Sequence, residues 1–187
     1  GGVGLNGIDA IVLQDKTESI GRGATEQQAQ LLQQIAADYY RIVLNAKDDE
    51  QRLQQAKALL DNLNEQQREV YQQFGADAYT LDIKNVNDKA LFSILSTDPT
   101  QYWQKVCAPV LVLNGDKDVQ VPAAENVQGL KQAIVDCPHM ANKFVVLPDY
   151  NHMFQPTTDG NVKLYASLPE GFDTKVSNLI VQWLGDL

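Results

Sequence analysis

The sequence predicts an α/β protein in which a long helical region precedes a short parallel sheet. Helical signals run almost throughout from about residue 8 to 105. After that point Val110-Leu111-Val112-Leu113 and Phe144-Val145-Val146-Leu147 form two continuous apolar runs of strand length and read as buried strands. Ala123 to Val135, between them, reads as a helix. Strand, helix, strand makes a βαβ unit, whose strands run parallel and whose following loops open on one sheet edge.

The helical elements follow from local pattern. From Thr25 to Leu44, Leu32, Ile35, Ala36, Tyr39, Ile42 and Val43 recur at helical spacing among Gln, Asp and Arg. Thr25, with Gln28 three positions on, forms a capping-box pattern. From Asp49 to Leu63, Leu53, Ala56, Leu59, Leu60 and Leu63 repeat the stripe, and Asn64 starts a polar break. Glu65 to Phe74 reads as a short helix ended by Gly75, and Lys89 to Ser96 as another stopped by Asp98-Pro99. The glutamine-rich stretch around Gln27 to Gln34 keeps regular apolar spacing, so it is a solvated helix face rather than low-complexity sequence. The tyrosines of this region read as core and interface material. A final helix spans about Thr174 to Leu184, with Val176, Leu179, Ile180, Val181 and Trp183 on a broad apolar face, preceded by a Pro169-Glu170-Gly171 turn. The expected division is residues 1–105 as a helical layer and 106–187 as a βαβα part.

Composition narrows the function. At 187 residues with 44% hydrophobic content and mixed charge, the chain has material for one real core. A net charge of −9 argues against nucleic-acid or anionic-membrane partners, which demand clustered Lys and Arg. No apolar run approaches the ~20 residues of a membrane span, so a soluble protein is expected, cytoplasmic or periplasmic/secreted. Cys107 and Cys137 both fall at the sheet edge opposite the two strand-following loops, which permits a disulfide; two free thiols are the alternative.

The chemistry-bearing residues sit in those two loops. Asn114-Gly115-Asp116-Lys117-Asp118 follows the first strand and Asn151-His152-Met153 follows the second. The βαβ connection makes Asp118 and His152 neighbours in space. An imidazole can accept a proton and return it near neutral pH, and a carboxylate at its other nitrogen sets the tautomer. His152 by itself would read as a loop-stabilising residue; the strand context and Asp118 favour a base. His139, after Pro138 at the opposite end of the unit, reads as a polar loop residue, and two histidines so placed make no metal site.

The run from Ala108 to Pro122, with Asn151-His152-Met153-Phe154, resembles the C-terminal part of α/β-hydrolases, closest to bacterial esterases and peptidases of the serine-aminopeptidase and dienelactone-hydrolase-like groups. That family carries its acid in a G-x-x-D-x-x-V-P turn after the penultimate core strand, matched here by Gly115, Asp118, Val121 and Pro122. The resemblance covers residues 105 to 187. It implies that His152 is the triad base, that Asp118 rather than Asp116 orients it, and that Asp116 binds turn backbone. It further implies that the helical stretch from about 8 to 105 is a cap over the active site.

The departure is the nucleophile. The family's G-x-S-x-G elbow is absent, and Ser19, Ser93, Ser96, Ser167 and Ser177 have no such glycine frame. The chain also opens Gly1-Gly2-Val3-Gly4 without Met. The expectation is therefore the C-terminal portion of a serine hydrolase acting on a small-molecule ester, thioester or peptide, with no cofactor and no serine of its own. The rival is a non-catalytic helical interaction module on a hydrolase-like remnant. A homodimer through the open sheet edge is a further expectation.

Overall fold

The structure is a computed structural model and describes residues 3–76, 78–134, 141–168 and 171–187. It is helix-rich with one short two-stranded parallel sheet. The chain forms two compact units: Gly1–Leu5 with Asp98–Leu187, and Asn6–Thr97. The boundary thus lies before the expected residue 105, and the first residues group with the sheet rather than with the helices.

The helical unit contains α1 (Gly7–Gly21), α2 (Glu26–Asn45), α3 (Asp49–Asp61), α4 (Glu65–Val70) and α5 (Lys89–Leu95). The α2 N-terminus carries the expected box: the Gln28 amide donates to Thr25 Oγ1 at 3.3 Å, and the Thr25 amide donates to Gln28 Oε1 at 2.9 Å. Asn64, read from sequence only as a break, is the N-cap of α4 in a second box with Gln67. Beyond Val70 the expected single helix continues as a π-helical turn, Tyr71–Gly75. The core is built on α2, which buries Ala29, Leu32, Ala36, Tyr39, Tyr40 and Val43 against Val12, Phe74, Leu81, Leu91 and Leu95. A fully buried Leu or Val contributes about 1.5–3 kcal/mol. By contrast α3 buries only Ala56, because its leucines lie at the margin of the core. The two ends of the unit meet: the Gly7 amide donates to Thr97 O at 2.8 Å, and a Cβ at Gly7 would lie 1.9 Å from Ile94 O.

Helix α1 breaks the apolar rule, burying Asp15 and Ser19 besides Val12. Asp15 is accommodated because Tyr40 Oη donates to Oδ2, and Thr80 Oγ1 donates to Oδ1 at 2.8 Å. Burial pushes the Asp15 carboxyl up to about 7, against the Tyr40 and Thr80 hydroxyls that pull it down; Glu18 adds to the rise and Arg22 opposes it. Burial also raises the Tyr40 hydroxyl well above its usual value, so it stays a donor.

In the other unit α6 (Thr100–Trp103) leads into β1 (Leu111–Gly115), α7 (Ala123–Ala133), β2 (Lys143–Leu147) and α8 (Thr174–Gly185). The strands pair in parallel, Leu111 opposite Lys143 through Gly115 opposite Leu147. Val112 packs with Val127, Leu130 and Ile134, joined by Trp103, Val110 and Phe144. Residues 3–5 belong here because Gly4 lies flat on α7: a Cβ would stand 2.1 Å from Asn126 O. The Gly4 amide also donates to the buried Asn126 Oδ1 at 3.2 Å. Two sequence expectations need correction. β2 is not a fully buried strand, since Lys143 and Val146 are exposed, and among the described residues no strand pairs beyond it. The α8 apolar face buries only Val176, and Val181 is 68% exposed. Cys107 is disulfide-bonded; Cys137, His139, Val135 and the Pro169-Glu170 pair lie outside the described residues. Among the described residues no helix is long and apolar enough to cross a membrane.

The raised Asp15 carboxyl makes stability pH-dependent. The unfolded chain releases this proton near the ordinary aspartate value of 3.8 and the folded chain keeps it until about 7, so between those values the unfolded state binds fewer protons. Stability is then fully present below about 4, falls as pH rises to about 7, and is level above it, a change on the order of 4 kcal/mol. Urea midpoints from pH 4 to 8 should decline in the wild type and flatten in Asp15→Asn; parallel profiles would refute the assignment.

Candidate active site

Both loops at the carboxyl edge of the sheet are built around close backbone approach. Gly115 ends β1 where a Cβ would lie 2.0 Å from Tyr150 O, so only glycine lets the two loops touch there. The Asp116 amide donates to Leu147 O at 2.9 Å and the Lys117 amide to Tyr150 O at 3.0 Å. Asp116 Oδ1 accepts from the Asp149 amide at 2.7 Å, a backbone-binding role across to the second loop. This contact supports Asp149 in a left-handed conformation, φ 61°.

Asp118 turns inward instead. Its Oδ1 accepts from the Gln120 amide at 2.9 Å and the Val121 amide at 2.8 Å. Its Oδ2 accepts from Asn114 Nδ2 at 3.2 Å and faces His152 Nδ1 at 2.9 Å. Four groups thus converge on one carboxylate whose side chain is only 6% exposed, while that of His152 is 39% exposed. The expected meeting of Asp118 and His152 is present, at ordinary hydrogen-bond length.

The His152 loop is held by a residue whose role the sequence did not reveal. Asn151 is fully buried; its Oδ1 accepts from the Met153 amide at 2.9 Å and the Gln155 amide at 3.0 Å. Its Nδ2 donates to Gln155 Oε1 at 3.0 Å. These bonds close a tight turn, with Phe154 at φ 54°. Tyr150 Oη donates to Asp173 Oδ2 at 2.6 Å, tying the loop to the N-cap of α8. The only signal for Asn151 in the sequence was its place between an apolar strand and the histidine.

Asp118 and His152 border an apolar cavity of about 550 Å³ along β1, which also takes in Trp103, Phe172, Val176 and Trp183. Its size and mostly apolar lining with a few polar groups at one end suit a small organic ligand. Among the described residues no three His, Cys, Asp or Glu side chains are grouped as metal ligands. In comparisons with known proteins, the chain matches no family model, no curated protein and no solved structure.

Asn151→Ala removes the acceptor for two amides in a buried turn. An unsatisfied buried donor costs about 1–3 kcal/mol, so the urea midpoint should fall and the His152 ring signals should broaden. An unchanged midpoint would show that the turn is held by backbone alone.

Proposed function

We propose that this chain is the C-terminal portion of an α/β-hydrolase, contributing the triad acid Asp118 and base His152 to hydrolysis of an ester, thioester or amide. The observation that carries the reading is the 2.9 Å contact between Asp118 Oδ2 and His152 Nδ1, made by loops that follow two parallel strands. The G-x-x-D-x-x-V-P turn at Gly115, Asp118, Val121 and Pro122 supports it. So does the helical unit, which leaves the sheet-bearing unit after Leu5, returns at Asp98, and has the connectivity of an inserted cap.

In this reading His152 Nε2 takes the proton of a serine hydroxyl as its oxygen attacks the substrate carbonyl, then returns it to the leaving alcohol, thiol or amine. Asp118 accepts from Nδ1–H, so the basic lone pair sits on Nε2, and it stabilises the imidazolium that forms. The apolar cavity beside His152 would hold the acyl group. The serine and the oxyanion donors come from outside these 187 residues, since no G-x-S-x-G occurs among them.

The tautomer gives a test that does not need activity. Asp118 Oδ1 already receives two backbone N–H groups. In Asp118→Asn the amide oxygen must take that place, turning the NH₂ toward His152 Nδ1 and moving the ring proton to Nε2. Nitrogen-15 chemical shifts of the His152 ring should report Nδ1–H in the wild type and Nε2–H in the variant. A ring indifferent to the substitution would overturn the pairing.

Turnover supplies the second arm. The chain by itself should hydrolyse p-nitrophenyl acetate no faster than buffer. With the serine restored in one polypeptide, Asp118→Asn should lower kcat by about 10⁴-fold. Activity of the isolated chain that survives His152→Ala would place the chemistry elsewhere.

A further inference from the structure

Asn114 is a polar side chain inside a buried strand. It lies in β1, pairs with Val146 in the register and is 8% exposed. Its Nδ2 has three neighbours: Val121 O at 3.0 Å, Asp118 Oδ2 at 3.2 Å and Gly115 O at 3.4 Å. All three are acceptors, so the amide has one sensible orientation, with its NH₂ toward Asp118. Val121 closes the arrangement. Its carbonyl accepts one Asn114 N–H, while its own amide donates to Asp118 Oδ1.

The Asp118 carboxylate thus receives four donors, two on each oxygen. The Gln120 and Val121 amides take Oδ1, and Asn114 and His152 share Oδ2. A carboxylate has about four lone-pair sites, so none is left over. The placement of Asp118 is already secured by the two backbone amides. What Asn114 adds is the positive end of an amide dipole, set against the oxygen that faces the imidazole. That dipole opposes the charged form of the ring and leaves the neutral form almost unaffected. The neighbouring charges are engaged elsewhere: Lys117 with Asp116 at 3.0 Å and Asp149 at 3.7 Å, and Asp173 with Tyr150 Oη and the Lys175 amide.

We propose that Asn114 is a positioning residue for the His152 base, acting through Asp118: by sharing Oδ2 with the imidazole it limits how tightly the carboxylate holds the imidazolium proton. The ring then stays unprotonated, and able to accept a proton, to lower pH than Asp118 by itself would allow. It also releases that proton more readily to a leaving group. The inference rests on the reading of His152 as a general base. Asn114 handles no proton itself.

Asn114→Leu removes the amide at similar volume. In the 187-residue chain, nitrogen-15 and proton shifts of the His152 ring, followed against pH, should give a midpoint higher than in the wild type by about half a pH unit or more, with Nδ1–H retained. A residue that merely held the carboxylate in place would act in the opposite sense. Asp118 would turn away, the midpoint would fall and the preference for Nδ1–H would be lost. That result, or an unchanged midpoint, would overturn the proposal. If Asn114→Leu does not fold, the wild type decides. Protonation of the ring draws on Oδ2, so the Asn114 Nδ2–H resonance should move upfield with the same midpoint as His152; a downfield move, or none, would overturn it.

Turnover separates this inference from the reading beneath it. With the serine restored in one polypeptide, the acid limb of kcat/KM for p-nitrophenyl acetate should move up in Asn114→Leu by as much as the ring midpoint does. A shifted midpoint with an unshifted limb would uphold the action of Asn114 on the ring and overturn His152 as the base.

Discussion

Parallel pairing of β1 with β2 is the constraint on which the candidate site depends. A parallel pair joined by a crossover helix delivers both outgoing loops to one edge, and the register from Leu111–Lys143 to Gly115–Leu147 sets their relative height. Gly115 then lets the backbones meet, and Asp116 and Lys117 stitch one loop to the other. Asp118 is left as the inward carboxylate, fixed by amides on one oxygen and by Asn114 and His152 on the other. Removing any part of this scaffold would leave two polar side chains with no reason to meet.

The helical unit is stabilised in a different manner. Its centre is α2, whose one face is apolar except for tyrosine hydroxyls, and each of these finds an acceptor: Tyr39 reaches Asp82 O and Tyr40 reaches Asp15. Asp15 is therefore both a specificity element, aligning α1, α2 and the Thr80 turn, and a source of proton-dependent stability. The contact of Gly7 with Thr97 brings the unit's entry and exit together, the connectivity expected of a unit inserted within another.

The sheet unit is less fully covered. Val146 is 45% exposed on β2, and α8 buries only Val176. These features share one cause, since a two-stranded parallel sheet has too little area to cover its own faces and edges.

By itself the sequence determined whatever depends on local pattern. The stripe of Leu32, Ala36, Tyr39 and Val43 specifies α2, Thr25 and Gln28 specify its cap, and two apolar runs around a helix specify a parallel pair with Asp118 near His152. It did not determine what depends on a distant partner. Asp15 and Ser19 are polar, so no apolar period marks α1 as packed; only the Tyr40 and Thr80 hydroxyls make that burial tolerable. Asn64 as a cap and Asn151 as the hub of the histidine turn are invisible locally, because asparagine is equally common in solvated loops. The unit boundary lies at Thr97 rather than at residue 105, and the first residues join the sheet because Gly4 allows a backbone approach to α7 that no side-chain pattern records. Periodicity reports which face of an element is buried. What lies against that face, and which polar groups it must satisfy, is decided only when the chain closes on itself.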